Sequence, residues 1–347
     1  MAARLAGGKP GFQRLFARLA VLARLPSLDY DIVEAGASER TPLDRRWATA
    51  NAWPSEPAAK GASPVPGIIW LASYPKSGNT WVRAFLANLL TNARKPVQIN
   101  QLPNFLLGDN FLIHYEKFTG RKADDLTAEE IEALRPQIHE WFAYSKSDNT
   151  FVKTHNAVLR VNGKPLITPT ATAGAIYVAR NPIDVAVSFS HHYQVDYDRA
   201  VESLCDERYV LPRASGQLEQ VLSSWSRHVR SWTTAPGLRV HLMRYEDMHR
   251  KATKSFAGLV KFLELPPDRE RLRRAIRFCS FSELQKQEAQ EKFVESRPDG
   301  KSPFFRHGAI GSGRKVLSEA QIQRLIDAHG EVMTELGYLD RRGKLTL

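Results

Sequence analysis

The segment IIWLASYPKSGNTWVRAFLANLL, residues 68–90, limits the fold of this chain more than any other. A short, continuously apolar run over residues 67–73 predicts a strand that is buried on both faces. The apolar pattern of residues 79–90 predicts a helix, and only the turn YPKSG separates it from the strand. A buried strand that passes through a tight turn into a buried helix is typical of α/β proteins with a parallel sheet.

The alternation of strand and helix patterns continues along the chain. Further strands are predicted at residues 150–155, 174–180 and 237–245, and helices at residues 181–193, 217–232, 252–264, 268–278 and 318–336. We therefore predict an α/β fold in which helices cover both faces of a mostly parallel, P-loop-like sheet. Ligands of such folds bind at the carboxyl ends of the strands.

The turn between the first strand and helix has the residue types of an anion site. Gly78 lets the backbone approach a phosphate, and the N-terminus of the helix offers unpaired N–H groups. Ser77 and Thr80 add hydroxyl donors, and Lys76 adds a positive charge. An ordinary turn with an exposed lysine is the structural alternative. The order of residues differs from the G-x-x-x-x-G-K-S/T loop, which disfavours a metal-dependent kinase.

Composition narrows the class of partner without choosing one. The net charge of +12, with 49 Lys and Arg against 37 Asp and Glu, favours a phosphorylated ligand, an acidic polymer, nucleic acid or a membrane surface. Cys205 and Cys279 are too few for a disulfide framework and lack metal-ligand spacing, which predicts a reducing, cytoplasmic compartment. No apolar run approaches the roughly 18 residues of a membrane-spanning helix.

The sequence divides into an arm, residues 1–66, and a main domain, residues 67–347. Residues 1–26 contain no acidic residue and have apolar residues at helical spacing, which predicts a basic amphipathic helix. Peripheral membrane contact, a transit-like role and docking on the main domain are three alternatives for this helix. Residues 35–66 are rich in Ala, Pro, Ser and Arg and predict an arm or linker.

Six segments of the main domain resemble the signature of the cytosolic-type sulfotransferases, which use 3′-phosphoadenosine-5′-phosphosulfate (PAPS). In chain order they are YPKSGNTW, FVKTH, YVARNPIDVAVSFSHHY, LMRYEDM, CSFSEL and FFRHGAIG. The resemblance covers residues 67–337. It implies the sulfotransferase fold, PAPS as the sulfuryl donor, adenosine 3′,5′-bisphosphate as the product nucleotide, and no metal.

The resemblance also implies a donor site. The 5′-phosphosulfate would lie in a cradle formed by Lys76, Ser77, Gly78, Asn79 and Thr80. The adenine would contact Trp81, Tyr245 and Phe281. The ribose 3′-phosphate would be held by Arg180, Ser188, Arg306, His307 and Gly308. His307 stands where the family usually has lysine, which predicts a weaker or pH-dependent grip on that phosphate.

His155 matches the general base of the family. It would take the proton from an acceptor hydroxyl or amine, and a histidine near its ordinary pKa of about 6.5 is available in the neutral form at pH 7. Lys76 and Lys153 would stabilise charge at the departing phosphate and at the sulfuryl group. The resemblance thus predicts direct in-line sulfuryl transfer.

The acceptor and the assembly are left open by the sequence. Aromatic residues within 101–147 and 194–216 favour a small or amphipathic acceptor such as a phenol, alcohol or lipid, with core packing as their alternative role. The segment after Gly311 lacks the family's usual dimer-forming residues, so the oligomeric state is not predicted. A non-catalytic nucleotide-binding module with a basic surface for a polyanion or membrane is the second hypothesis, although it has no use for a base. Nucleic-acid binding rests on charge alone and is disfavoured.

Overall fold

The computed structural model describes residues 66–214, 216–296, 302–306 and 308–346. The predictions for residues 1–26 and 35–65 and for His307 lie outside the described residues. The strands are β1 (Ile68–Ser73), β2 (Leu107–Gly108), β3 (Thr150–Thr154), β4 (Arg160–Val161), β5 (Lys164–Pro165), β6 (Thr172–Ala179), β7 (Val210–Leu211), β8 (Gln220–Val221) and β9 (Val240–Arg244).

Eleven α-helices occur in the described part of the chain. They are α1 (Asn79–Thr91), α2 (Leu112–Thr119), α3 (Ala128–Tyr144), α4 (Pro182–Tyr193), α5 (Tyr197–Cys205), α6 (Trp225–Thr233), α7 (Tyr245–Arg250), α8 (Ala252–Phe262), α9 (Arg269–Phe278), α10 (Phe281–Gln290) and α11 (Glu319–Glu335).

A parallel sheet of five strands forms the centre, in the order β2-β3-β1-β6-β9. All six residues of β1 are buried, because helices pack on both faces of the sheet. Alternate residues of β1 enter two core clusters: Trp70 joins the cluster on one face, and Leu71 joins the other. The predicted α/β fold is confirmed, and the carboxyl ends of β3, β1, β6 and β9 meet at one rim.

Two element predictions need correction. The predicted helix at residues 217–232 is wrong over its first half, because Gln220 and Val221 pair with β7 and the helix begins only after Ser224. The Ser224 side chain caps the Arg227 N–H, which fixes this later start. The strand predicted to reach residue 245 ends at Arg244, and Tyr245 begins α7. Helices α2, α3, α5, α7 and α10 were not predicted.

Among the residues that the structure describes, no helix is both long and apolar enough to cross a membrane. The same residues contain no group of three or more His, Cys, Asp or Glu side chains arranged to hold a metal ion.

Candidate active site

The turn after β1 has a positive φ at two positions. Lys76 adopts a φ of 69°, in the left-handed region that non-glycine residues rarely occupy. Strain of this kind costs about 1–3 kcal/mol and is concentrated at functional sites. Gly78 has a φ of 105°, and a Cβ there would lie 2.6 Å from Cδ2 of Tyr245. Glycine is therefore required at residue 78 by both conformation and space.

Hydrogen bonds fix the residues that follow the turn. The Asn79 Nδ2 donates to Leu71 O at 3.1 Å and lies 3.3 Å from Ser73 Oγ, so its side chain ties the helix to the strand. Thr80 Oγ1 accepts a hydrogen bond from Arg83 Nη2 at 2.9 Å. Because that hydroxyl already accepts, its own hydrogen is free to be donated to a ligand.

His155 lies beside the turn, immediately after β3. Its Nδ1 is 2.7 Å from the Ser73 carbonyl oxygen, which can only accept, so Nδ1 carries the hydrogen. The Nε2 atom makes no hydrogen bond within the described residues and is the basic nitrogen. Burial and the nearby positive charge of Lys153 hold the pKa of His155 well below its usual value. The imidazole is therefore neutral at pH 7 and presents an unprotonated Nε2.

Two lysines bring positive charge to the same place. The Lys76 side chain is half-buried. Burial lowers its pKa to about 7, and the positive charges of Arg180 and Lys153 also lower it. The Lys76 ammonium lies 4.1 Å above the centre of the Phe304 ring. Burial likewise lowers the pKa of Lys153. A site in which desolvated cations surround a neutral histidine is suited to bind an anion.

Arg180, at the end of β6, links the turn to the carboxyl-terminal part of the chain. Its guanidinium donates to Lys76 O at 3.2 Å and to Ala309 O at 3.1 Å. It also lies 4.3 Å from the centre of the Tyr245 ring. Its Nε is buried and has no hydrogen-bond partner in the described structure. A buried cation with an unpaired donor is energetically unfavourable until a ligand or water pairs with it.

Aromatic rings enclose the other side of this recess. Trp81 and Tyr245 meet edge to face, with ring centres 5.7 Å apart. The Tyr245 hydroxyl donates to Gly308 O at 3.1 Å, and a Cβ at Gly308 would lie 2.5 Å from the Phe281 ring. Tyr245 and Phe281 thus hold the backbone of Gly308 close, and substitution there would displace the ring.

Most of the predicted site residues come together, and the links differ in kind. Direct contacts join Lys76, Arg180, Tyr245, Gly308, Phe281 and Trp81. Arg306 is linked to the recess by its charge. Burial lowers the pKa of Arg306, and the positive charge of Arg180 lowers it further. Ser188 lies on α4, one helical turn after Asp184, and is half-buried.

Two site residues were missed by the sequence analysis. Asp109 follows β2, and its Oδ2 accepts from Thr154 Oγ1 at 2.7 Å and from Asn156 Nδ2 at 3.0 Å. These two donors flank His155, so Asp109 fixes the segment that carries this histidine. Asp184 accepts from the N–H groups of Gly311 and Gly313, both at 2.7 Å, and so fastens the carboxyl-terminal segment to α4. Neither carboxylate stands in a pattern that local spacing could reveal.

Several buried polar atoms around the turn have no partner in the described structure. They include Ser77 Oγ, Arg83 Nε and Arg180 Nε. All three can donate hydrogen bonds, and leaving each unpaired costs about 1–3 kcal/mol or more. Donors of this kind, together with two lysines and a helix N-terminus, fit a ligand with phosphate or sulfate groups.

The chain is similar in sequence to known proteins. The sequence model of the family described as "Sulfotransferase domain" matches residues 66–337. Mouse Sulfotransferase 1E1 is 25% identical over 283 residues, covering 78% of this chain and 84% of that protein. Cytosolic sulfotransferase 12 of Arabidopsis thaliana is 24% identical over 280 residues, covering 75% of this chain and 76% of that protein.

The fold has solved counterparts as well. The structure described as retinol dehydratase in complex with androsterone and inactive cofactor PAP superposes with a TM-score of 0.53 at 18% identity, covering 90% of this chain and 97% of the other. The same protein in a complex with retinol and PAP gives the same TM-score and identity.

Proposed function

This chain belongs to the sulfotransferase domain family, and from that premise we propose that it transfers the sulfuryl group of PAPS to a hydroxyl or amine of a small or amphipathic acceptor. The observation that carries the proposal is the position of His155. Its Nδ1–H is held by Ser73 O, its Nε2 is unprotonated, and it adjoins a cluster of desolvated cations.

The donor site would use both ends of the recess. The 5′-phosphosulfate would lie against the strained turn, where the unpaired Ser77 hydroxyl, the Thr80 hydroxyl and Lys76 can donate to it. Arg180, Ser188, Arg306 and Gly308 would hold the 3′-phosphate, and Trp81, Tyr245 and Phe281 would flank the adenine. His307 is still predicted to contact the 3′-phosphate.

The residues suit in-line displacement. His155 Nε2 would take the proton of the acceptor hydroxyl as its oxygen forms a bond to sulfur. Lys76 would stabilise the negative charge that develops on the phosphate oxygen as its bond to sulfur breaks, and Lys153 would balance charge on the sulfuryl oxygens. The proton is then held by His155, and the electron pair of the broken bond stays on adenosine 3′,5′-bisphosphate.

The proposal of a small acceptor is supported by the family relatives. The retinol dehydratase structure holds androsterone, a small apolar alcohol. Some of the aromatic residues predicted to line an acceptor pocket instead belong to the core of this chain, since Tyr115 and Phe142 are fully buried. Trp141 and Tyr144 are exposed. The relatives' names also favour the cytosolic location predicted from cysteine content.

The proposed function is tested directly with the full chain. Isothermal titration should detect binding of adenosine 3′,5′-bisphosphate, and ³⁵S-labelled PAPS incubated with a panel of phenols, steroids, aliphatic alcohols and amines should give a labelled acceptor. Binding without transfer to any acceptor would favour the nucleotide-binding module instead. Absence of binding would exclude both.

The lowered pKa of Lys76 predicts a pH dependence for nucleotide affinity. Lys76 is charged below about pH 7 and loses its proton above it, whereas a bound phosphate keeps it charged. Affinity for adenosine 3′,5′-bisphosphate should therefore fall above pH 7 by up to about tenfold per pH unit. Titrations between pH 6.5 and 9 at constant ionic strength check this. A flat profile would show that Lys76 does not titrate at the phosphate.

A further inference from the structure

Arg83, which is buried, and Glu295, which is half-buried, form an ion pair at the edge of the candidate donor site. The two guanidinium nitrogens Nη1 and Nη2 each donate to a carboxylate oxygen of Glu295 at 2.6 Å. Arg83 is only 3% exposed. Nη2 also donates to Thr80 Oγ1, a hydroxyl of the predicted phosphosulfate cradle. The Arg83 side chain thus bridges the Glu295 carboxylate and Thr80, one of the residues that would hold the donor.

Phe293 and Phe304, two described residues near Glu295, connect it to Lys76. The ring of Phe304 packs on Phe293, with centres 5.1 Å apart, and the same ring lies 4.1 Å below the Lys76 ammonium. Glu295 itself contacts Arg83, and its charge acts on the two lysines of the site. It raises the pKa of Lys76, and the charges of Arg83 and Lys153 hold its own pKa at about 2 against the effect of burial.

A second acid, Glu288, also raises the pKa of Lys76 but has a different role. Its oxygens accept from the N–H groups of Phe304 and Phe305 at 2.6 and 2.9 Å, and from Ser296 Oγ at 2.8 Å. Glu288 thus shapes the backbone of the loop. The hydrogen bonds of the Glu295 carboxylate, within the described residues, go to Arg83 alone. Glu295 is therefore the acid whose carboxylate pairs directly with a cation, Arg83, beside the predicted cradle.

We propose that Glu295 is a built-in counter-ion of the phosphosulfate site. In the nucleotide-free protein its charge offsets the charges of Arg83 and the neighbouring lysines. In the nucleotide-bound protein the same charge lowers the affinity for the nucleotide. This inference rests on the proposed function. Desolvated cations repel one another, so a fixed carboxylate stabilises the empty site. The same carboxylate repels an arriving phosphate, and its presence favours release of the product nucleotide.

The substitution Glu295→Gln tests the proposal, because it keeps the shape of the side chain and removes its charge. At pH 6, where Lys76 keeps its charge, we expect adenosine 3′,5′-bisphosphate to bind about 3- to 30-fold more tightly, since one repulsive charge near the phosphate is lost. The gain should appear mostly as slower dissociation in stopped-flow displacement. Glu295→Asp keeps the charge and should not tighten binding, and Glu291→Gln, at an exposed position of the same loop, should behave as the wild type.

Two further measurements distinguish an electrostatic role of Glu295 from a purely structural one. Glu295→Gln should lower the melting temperature of the nucleotide-free protein, because Arg83 loses its charged partner, yet the nucleotide should raise that temperature by more than in the wild type. The pH at which affinity begins to fall should also move below 7, since Arg180 and Lys153 would then face Lys76 with Glu288 as the remaining acid.

The outcomes are distinct. If Glu295→Gln weakens binding or leaves it unchanged while the wild type binds the nucleotide, Glu295 only fastens the loop and the counter-ion proposal is overturned. If the wild type itself binds no nucleotide, the proposed function fails first.

Discussion

Replacement of His155 by alanine is expected to lower the turnover number about 10²- to 10⁴-fold while the affinity for adenosine 3′,5′-bisphosphate stays nearly unchanged. The reason is that Nε2 is the unprotonated nitrogen at the rim, and the predicted nucleotide contacts come from other residues. Turnover would be measured with saturating PAPS and the best acceptor of the panel, and affinity by titration calorimetry.

Two variants control for structural damage at this position. His155→Asn keeps an N–H group that can donate to Ser73 O but supplies no base, so it should be as inactive as the alanine variant and more stable. His241→Ala removes a histidine that stacks on Phe262, away from the site, and should retain activity. Full turnover in His155→Ala would remove the residue from its proposed role.

Replacement of Lys76 by methionine should lower both turnover and nucleotide affinity. Loss of a preorganised charge at a developing anion typically costs about 10²- to 10³-fold in rate. Because burial already lowers the pKa of Lys76 to about 7, the free protein gains when the charge is removed, and its melting temperature should not fall. The combination of lost function and kept stability distinguishes a functional lysine from a structural one.

Lys95→Met is the matched control, since Lys95 is exposed on the loop after α1. It should change neither affinity nor turnover. The pH dependence of nucleotide affinity above pH 7 should also vanish in Lys76→Met and persist in Lys95→Met. If Lys76→Met retains turnover within a fewfold of the wild type, the charge on that residue does not stabilise the departing phosphate.

The sequence predicted the centre of the fold well because the evidence for it is local. A buried strand, a glycine turn and a helix lie next to one another in residues 68–91, and the first strand and helix were placed within a residue of their observed ends. The prediction failed where distant contacts decide. Gln220 stands in a pattern that suits a helix, yet its side chain accepts the His155 N–H at 3.2 Å and its backbone pairs with β7.

The order of six short motifs was enough to indicate the family. The donor-site residues that the same motifs predict stand next to strand ends in the chain. Asp109 lies 45 residues from Thr154, and Glu295 lies 212 residues from Arg83. A periodic pattern reports the environment of neighbouring residues and carries no information on such pairs. Only the folded chain, which brings the ends of parallel strands to one rim, shows that Asp109 holds the segment around His155 and that Glu295 pairs with Arg83.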